Sequence, residues 1–117
     1  MIRFINKDIS HFIAFLNNQY PTPQTVYIHI LEGYDTVDTN KGKGFGVFRT
    51  DTKEIFVAGD MPDEQSLFET IAHEYYHFIE SLRFNNKNYD EGKATRFAEH
   101  AYEKYKRIQE MWEFGRL

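Results

Sequence analysis

The spacing of apolar residues changes along the chain, and each change indicates a different kind of secondary structure. Residues 2–17 carry apolar side chains at helical spacing, which predicts an N-terminal helix. Pro21 and Pro23 follow, and proline cannot continue a helix. The β-branched and aromatic run at residues 26–31 then predicts a strand.

A second β region lies in the middle of the chain. Residues 35–44 are polar and glycine-rich, which is typical of a loop. Residues 45–49 and 54–58 predict the two strands of a hairpin, with residues 50–53 as its turn. The glycines of this region are interpreted as turn residues: Gly42, Gly44 and Gly46.

The second half of the chain is predicted to be helical. Asp60 is a candidate N-cap with Pro62 in the first turn, and helical periodicity continues to about residue 83. A last helix is predicted from about Asp90, another candidate N-cap, to about residue 114. The apolar stripe of the first helix comprises Leu67, Phe68, Ile71, Tyr75, Phe78, Ile79 and Leu82. That of the last helix comprises Ala94, Phe97, Ala98, Ala101, Tyr105, Ile108 and Trp112.

The predicted order of elements is α-β-β-β-α-α. This order indicates an α+β fold with a small, mostly antiparallel three-stranded sheet. The chain has 117 residues, a length that suits one domain spanning residues 1–117.

Charge and composition argue against several classes of protein. The formal net charge is −4, whereas binding to nucleic acid or to an anionic membrane surface needs a basic face. The absence of cysteine excludes disulfides, thiolate metal sites and cysteine nucleophiles. The N-terminus lacks the apolar core of a signal peptide and no stretch is long enough to span a membrane, so we expect a cytoplasmic protein.

Residues 73–77 read HEYYH, an H-E-x-x-H motif inside the predicted helix. Residues four apart lie one turn above each other with Cβ atoms about 5–6 Å apart, so His73 and His77 can reach one zinc ion. Glu74 projects about 100° round the helix from His73, where a general base can accept a proton from metal-bound water. Both histidines lie roughly opposite the apolar stripe. The alternative interpretation is that they are solvent-exposed and bind nothing.

A catalytic zinc ion needs a third protein ligand. The glycine and third histidine of a metzincin site are absent from residues 78–83, so the ligand is expected from the start of the last helix. The candidates there are Asp90, Glu91, Glu99 and His100. Asp90 is expected to cap the helix, Glu99 falls on the exposed flank, and His100 points away from the stripe. Glu91 borders the stripe and is the predicted ligand; alternatively, it only favours the helix dipole.

Two segments resemble the gluzincins, and among them the ImmA/IrrE-type metallopeptidases. The first is TIAHEYYHF at residues 70–78. The second is EGKATRFA at residues 91–98, which is similar to that family's E-x-x-A-(N/D)-x-F-A pattern with a zinc-ligating first Glu. The hairpin also resembles the sheet that precedes the active-site helix there. The resemblance implies a zincin-like fold and a Zn²⁺ ion held by His73, His77 and Glu91.

The resemblance also implies an activity, the zinc-dependent hydrolysis of peptide bonds with Glu74 as catalytic base. The expected partner is a protein or peptide substrate, with a helix-turn-helix transcriptional repressor as the leading expectation. The oxyanion-stabilising group stays open among Tyr89, Arg96 and His100. Thr95 departs from the family, whose Asn or Asp orients a metal ligand, so a weaker version of that role is expected. The competing hypothesis is a non-catalytic zinc-binding module for protein interaction.

Overall fold

The computed structural model describes residues 6–83 and 90–114, with side chains for residues 9–83 and 90–112. The elements within these ranges are α1 (Asn6–Gln19), β1 (Tyr27–Leu31), β2 (Val37–Thr39), β3 (Gly42–Gly44), β4 (Gly46–Arg49), β5 (Glu54–Ala58), α2 (Glu64–Arg83) and α3 (Glu91–Phe114). This is an α+β arrangement, as predicted. The first residues of the predicted N-terminal helix, and residues 84–89 between the last two predicted helices, lie outside the described residues.

The larger sheet has three strands in the order β1-β5-β4. β1 runs parallel to β5, with Ile28 beside Ile55 and Ile30 beside Val57, and β4 runs antiparallel to β5. Because side chains alternate between the two faces of a strand, these four residues share one face, on which Ile55 and Val57 are fully buried. The described strand pairings are mostly antiparallel, as predicted, and the β1–β5 pair is parallel.

The segment predicted as a loop contains a second, two-stranded sheet. β2 and β3 pair antiparallel, with Val37 beside Gly44 and Thr39 beside Gly42. Gly42 has a φ of 109°, which glycine adopts without strain, so its interpretation as a turn residue is supported. The loop prediction was wrong because each strand has only 3 residues and their polar sequences show no apolar alternation.

The start of α2 differs from the prediction. Asp63, rather than Asp60, is the N-cap, because the backbone N–H of Ser66 donates to Asp63 Oδ1 over 2.7 Å. This hydrogen bond holds the pKa of the Asp63 carboxyl below its ordinary value. Asp60 instead accepts a hydrogen bond from the backbone N–H of Gly33 over 3.1 Å. It therefore connects the segment after β1 to the segment before α2.

One hydrophobic cluster joins the three helices to the sheet. Phe12 of α1 stacks on Phe68 of α2 with ring centroids 4.6 Å apart, and both side chains are fully buried. α3 contributes Ala98 and Ala101 to this cluster, and Ala94 of the same helix is also buried. Because alanine is small, a helix with alanines along its buried face can lie close to its neighbour.

The last turns of α3 depart from the predicted apolar stripe. Ala101 and Tyr105 are buried, whereas Ile108 and Trp112 are 42% and 65% exposed. The stripe is therefore buried only as far as Tyr105. Within residues 6–83 and 90–114, no helix combines the length and apolar character that crossing a membrane requires.

The buried Phe12–Phe68 stack yields a prediction about stability. Replacing Phe12 with alanine leaves a cavity in the core and should lower the free energy of unfolding by about 3–5 kcal/mol. Phe45, which is 59% exposed, is the matched control, and Phe45→Ala should change the free energy by less than about 0.5 kcal/mol. Urea unfolding followed by circular dichroism measures both. Equal losses in the two variants would contradict this account of the core.

Candidate metal centre

The two motif histidines lie one turn apart on α2. Their ring centroids are 4.9 Å apart, and the rings are nearly perpendicular, at 80°. His77 is buried, with 5% of its surface exposed, and His73 is partly buried. The alternative that both are solvent-exposed is therefore wrong, because neighbouring elements cover the polar side of α2.

Glu91, the first residue of α3, meets both histidines. Its Oε2 lies 3.0 Å from His73 Nε2, and its Oε1 lies 2.8 Å from His77 Nε2. The helix begins here because Asp90 is its N-cap, as predicted: the backbone N–H of Lys93 donates to Asp90 Oδ1 over 3.0 Å. The Glu91 side chain is 63% exposed, so this side of the cluster is open to solvent.

These three residues have the chemistry and spacing of a metal site. Their candidate ligand atoms, two imidazole nitrogens and a carboxylate oxygen, lie within 4.8 Å of one another. Ligands about 2.0–2.1 Å from a tetrahedral zinc ion are about 3.3–3.4 Å apart, so small side-chain adjustments would open the 2.8 and 3.0 Å contacts to coordination distances. His73, His77 and Glu91 could therefore hold a metal ion.

The two carboxylates that contact His77 also favour a cation. Its Nδ1 lies 3.0 Å from Glu80 Oε1, and its Nε2 lies 2.8 Å from Glu91 Oε1. A neutral imidazole carries only one N–H, so it cannot donate to two carboxylates at once without an additional proton. A metal ion between Nε2 and Glu91 would take the place of that proton. The two carboxylates and the imidazole are thus electrostatically suited to a bound cation.

Glu80 is the residue of this cluster that the sequence analysis missed. It is buried, with 9% of its surface exposed, and it contacts His77 through the 3.0 Å bond to Nδ1. The signal was present as the spacing, since a residue three positions after His77 lies on the same helix face. The sequence did not show that this face would be covered.

Glu74, the predicted general base, is buried next to the metal centre. Burial raises the pKa of its carboxyl from 4.5 to about 7; His77 lowers it, the negative charge of Glu91 raises it, and the backbone N–H of Phe48 lowers it by donating a hydrogen bond. A carboxyl with this pKa can exchange protons near neutral pH. The elevated value therefore matches the role of a general acid and base.

Gly46 of β4 packs directly against Glu74. A Cβ placed on Gly46 would lie 3.0 Å from Glu74 Cγ and 2.9 Å from Thr70 Cγ2, which is too close. The interpretation of Gly46 as a turn residue was therefore wrong: it lies in a strand, and its missing side chain lets β4 approach α2 at the position of Glu74.

An open cavity of about 420 Å³ adjoins Glu74 and His73. Apolar groups form much of its wall, including Phe45, Met61 and Ala98. A cavity of this size falls in the range of small ligand pockets, at roughly 300–1,000 Å³. A substrate side chain in it would lie beside the carboxyl of Glu74.

The other sequence candidates lie elsewhere. Glu99 and His100 are exposed, as predicted, and neither they nor Arg96 line the cavity. Thr95 does line it, but within the described residues no hydrogen bond joins Thr95 to the three candidate ligands. Tyr89 lies outside the described residues.

Comparison with known proteins adds no relative to this description. No known protein family matches the chain, and no significant match occurs among curated proteins or solved structures.

The geometry of the third ligand can be tested by metal binding. Glu91→Ala removes one of the three candidate zinc ligands. Loss of a group that only supports a ligand weakens metal binding by about 10–100-fold, so this variant should weaken zinc binding by more than that. Glu99→Ala, which removes an exposed carboxylate from the same helix, should leave the affinity unchanged. Competition with a chromophoric chelator measures both dissociation constants. Loss of affinity in Glu99→Ala alone would place the third ligand elsewhere.

The raised pKa of Glu74 predicts that the free energy of unfolding of the metal-free protein depends on pH. Its folded-state pKa of about 7 exceeds the ordinary value of 4.5, so the folded state binds the proton more tightly and loses stability as pH rises between these values. Glu74→Gln cannot ionise, so its stability relative to the wild type should rise by about 3 kcal/mol from about pH 4 to about pH 8.

Urea unfolding in the presence of a chelator measures this difference. Glu99→Gln, a neutralised carboxyl at an exposed position, serves as the control and should show no comparable change with pH. A pH-independent difference between Glu74→Gln and the wild type would contradict the raised pKa.

Proposed function

We propose that the protein is a zinc-dependent metallopeptidase with a zincin-like fold. The observation that carries this proposal is the meeting of two histidines and a carboxylate beside the buried Glu74, at the wall of an open cavity. A site that only stabilised the fold would need neither a base with a raised pKa nor access to solvent.

His73, His77 and Glu91 would hold the zinc ion. Two histidines and a glutamate form one of the usual ligand sets of catalytic zinc, and the chain has no cysteine to offer instead. When bound, zinc would lower the pKa of a water molecule and polarise the carbonyl group of the scissile peptide bond. The exposed side of Glu91 leaves room for the water and the substrate.

Glu74 would transfer the proton. Its carboxylate would accept a proton from the attacking water and then, as a carboxylic acid, give that proton to the nitrogen of the leaving amine. Both steps need a group that changes protonation state near neutral pH. Burial supports this by raising the pKa of Glu74 to about 7.

The edge of β4 would align the substrate. β4 is an outer strand of the three-stranded sheet, and the backbone N–H of Phe48 donates to Glu74. That N–H therefore points away from β5, which means that the outer edge of β4 faces the base. An extended peptide added along this edge would bring its backbone to Glu74, and one of its side chains to the cavity.

The substrate would be a protein. A helix-turn-helix repressor remains the leading choice, and it rests on the resemblance of residues 70–78 and 91–98 to the ImmA/IrrE-type peptidases.

A second candidate function is a metal-binding interaction module without catalytic activity. It is favoured by the walls of the cavity, because neither Arg96 nor His100 lines it to stabilise an oxyanion. Among the described residues, the candidates named from the sequence thus supply no cationic donor at the site. The retention of Glu74 at a buried position favours the enzyme.

Replacing the base distinguishes the two functions. Glu74→Gln keeps the shape of the side chain but cannot accept the proton, so zinc binding should persist at about one ion per chain while cleavage falls by at least about 10²-fold. Zinc is measured by elemental analysis, and cleavage by mass spectrometry of a proteome-derived peptide library.

Glu99→Gln is the control and should cleave the library like the wild type. Equal cleavage by Glu74→Gln and the wild type would remove Glu74 as the base. A wild-type protein that binds zinc but cleaves nothing would favour the interaction module.

A further inference from the structure

We propose that Glu80 is a positioning residue that holds two parts of the metal centre together. This inference rests on the proposed metal site, and it concerns how the chain presents His77 and Glu91 to the ion. One carboxylate oxygen of Glu80 contacts the ring of His77, and the other contacts the backbone at the start of α3.

The first contact sets the orientation of His77. Glu80 Oε1 lies 3.0 Å from His77 Nδ1, and the two side chains are only 11% and 6% exposed. A carboxylate oxygen accepts hydrogen bonds, so the contact favours the tautomer in which the Nδ1–H of His77 donates to Glu80. In that tautomer the lone pair of the ring is on Nε2, the nitrogen that contacts Glu91. A carboxylate in this position also makes the imidazole a stronger metal ligand.

The second contact fixes where α3 begins. The backbone N–H of Asp90 donates to Glu80 Oε2 over 3.4 Å. In a capping box, a Glu or Gln three residues after the N-cap accepts this hydrogen bond, but Lys93 stands there and cannot accept one. Glu80 of α2 supplies the acceptor instead. Because Glu91 follows Asp90 directly, the same carboxylate places the backbone of the third ligand.

Burial separates this role from that of an ordinary surface pair. A His–Glu pair three residues apart on an exposed helix contributes little, since water competes for both groups. Glu80 is 9% exposed, and both of its oxygens have partners within the described residues. Burying a carboxylate lowers the stability of the fold unless hydrogen-bond partners compensate for the lost hydration. The partners of Glu80 are His77, a proposed metal ligand, and Asp90, which directly precedes the proposed ligand Glu91.

Three variants test the proposal through zinc affinity. Glu80→Ala removes both contacts and should weaken zinc binding by about 10–100-fold. Glu80→Gln has one carbonyl oxygen, which can accept from His77 or from Asp90 but not from both as the carboxylate does, so its loss should be smaller. Glu99→Ala, an exposed glutamate of α3, should bind zinc like the wild type. Competition with a chromophoric chelator, at a temperature where all variants are folded, gives the dissociation constants.

Amide hydrogen exchange of the metal-free protein supplies a readout that needs neither zinc nor activity. Glu80→Ala should speed the exchange of the Asp90 amide, Glu80→Gln should speed it less, and Glu99→Ala should leave it unchanged. The Co²⁺-loaded protein supplies a third readout, because a changed His77 orientation shifts its visible absorption spectrum in Glu80→Ala.

The outcomes distinguish this inference from the proposed function. If the wild type binds zinc and the Glu80 and Glu99 variants bind it equally well, the positioning role is overturned and the metal site stands. If the wild type binds no zinc, both proposals are overturned. If Glu80→Ala does not fold, zinc affinity and Asp90 exchange in Glu80→Gln decide the question, and wild-type values for both would overturn the role.

Discussion

The close packing of α3 against α2 is the contact on which the candidate metal centre depends. His73 and His77 come from one turn of α2, but the third donor belongs to a different helix and reaches them only if that helix begins at the right place. Two features of the sequence provide this: Asp90 caps the helix one residue before Glu91, and Ala94 and Ala98 are small enough to let the helices approach. The meeting of the three candidate ligands is thus a consequence of helix packing.

The buried polar residues of the described chain are concentrated at this one place. Glu74, His77 and Glu80 are the buried polar or charged residues among an otherwise apolar described core. Burying such groups reduces stability unless partners compensate, and burial raises the pKa of the Glu74 carboxyl because it disfavours the charged form. Buried polar groups that reduce the stability of a fold occur mainly at functional sites. These three buried groups surround or belong to the cluster of His73, His77 and Glu91 that could hold a metal ion.

Features determined by local sequence could be predicted, and most features that depend on distant contacts could not. The motif helix and the Asp90 cap follow from spacing within one or two helical turns, whereas the choice of Glu91 also used its helix face and the resemblance of residues 91–98. The β2–β3 hairpin was missed because its short polar strands lack apolar alternation, and the cap at Asp63 because Asp60 offered an equally good local signal. The proposed role of Glu80 depends on its contact with Asp90 at the start of α3, and no local sequence pattern predicts that contact.

β4 is the strand through which the three-stranded sheet contacts Glu74. Gly46 allows the strand to contact Glu74, and the N–H of Phe48 stabilises the ionised form of the same carboxyl. A peptide that pairs with the edge of β4 would therefore lie next to a backbone group that hydrogen-bonds to Glu74. Displacing water from that carboxyl would raise its pKa further, whereas a bound cation would lower it. Exclusion of water and binding of a cation would therefore shift the pKa of Glu74 in opposite directions from its value of about 7.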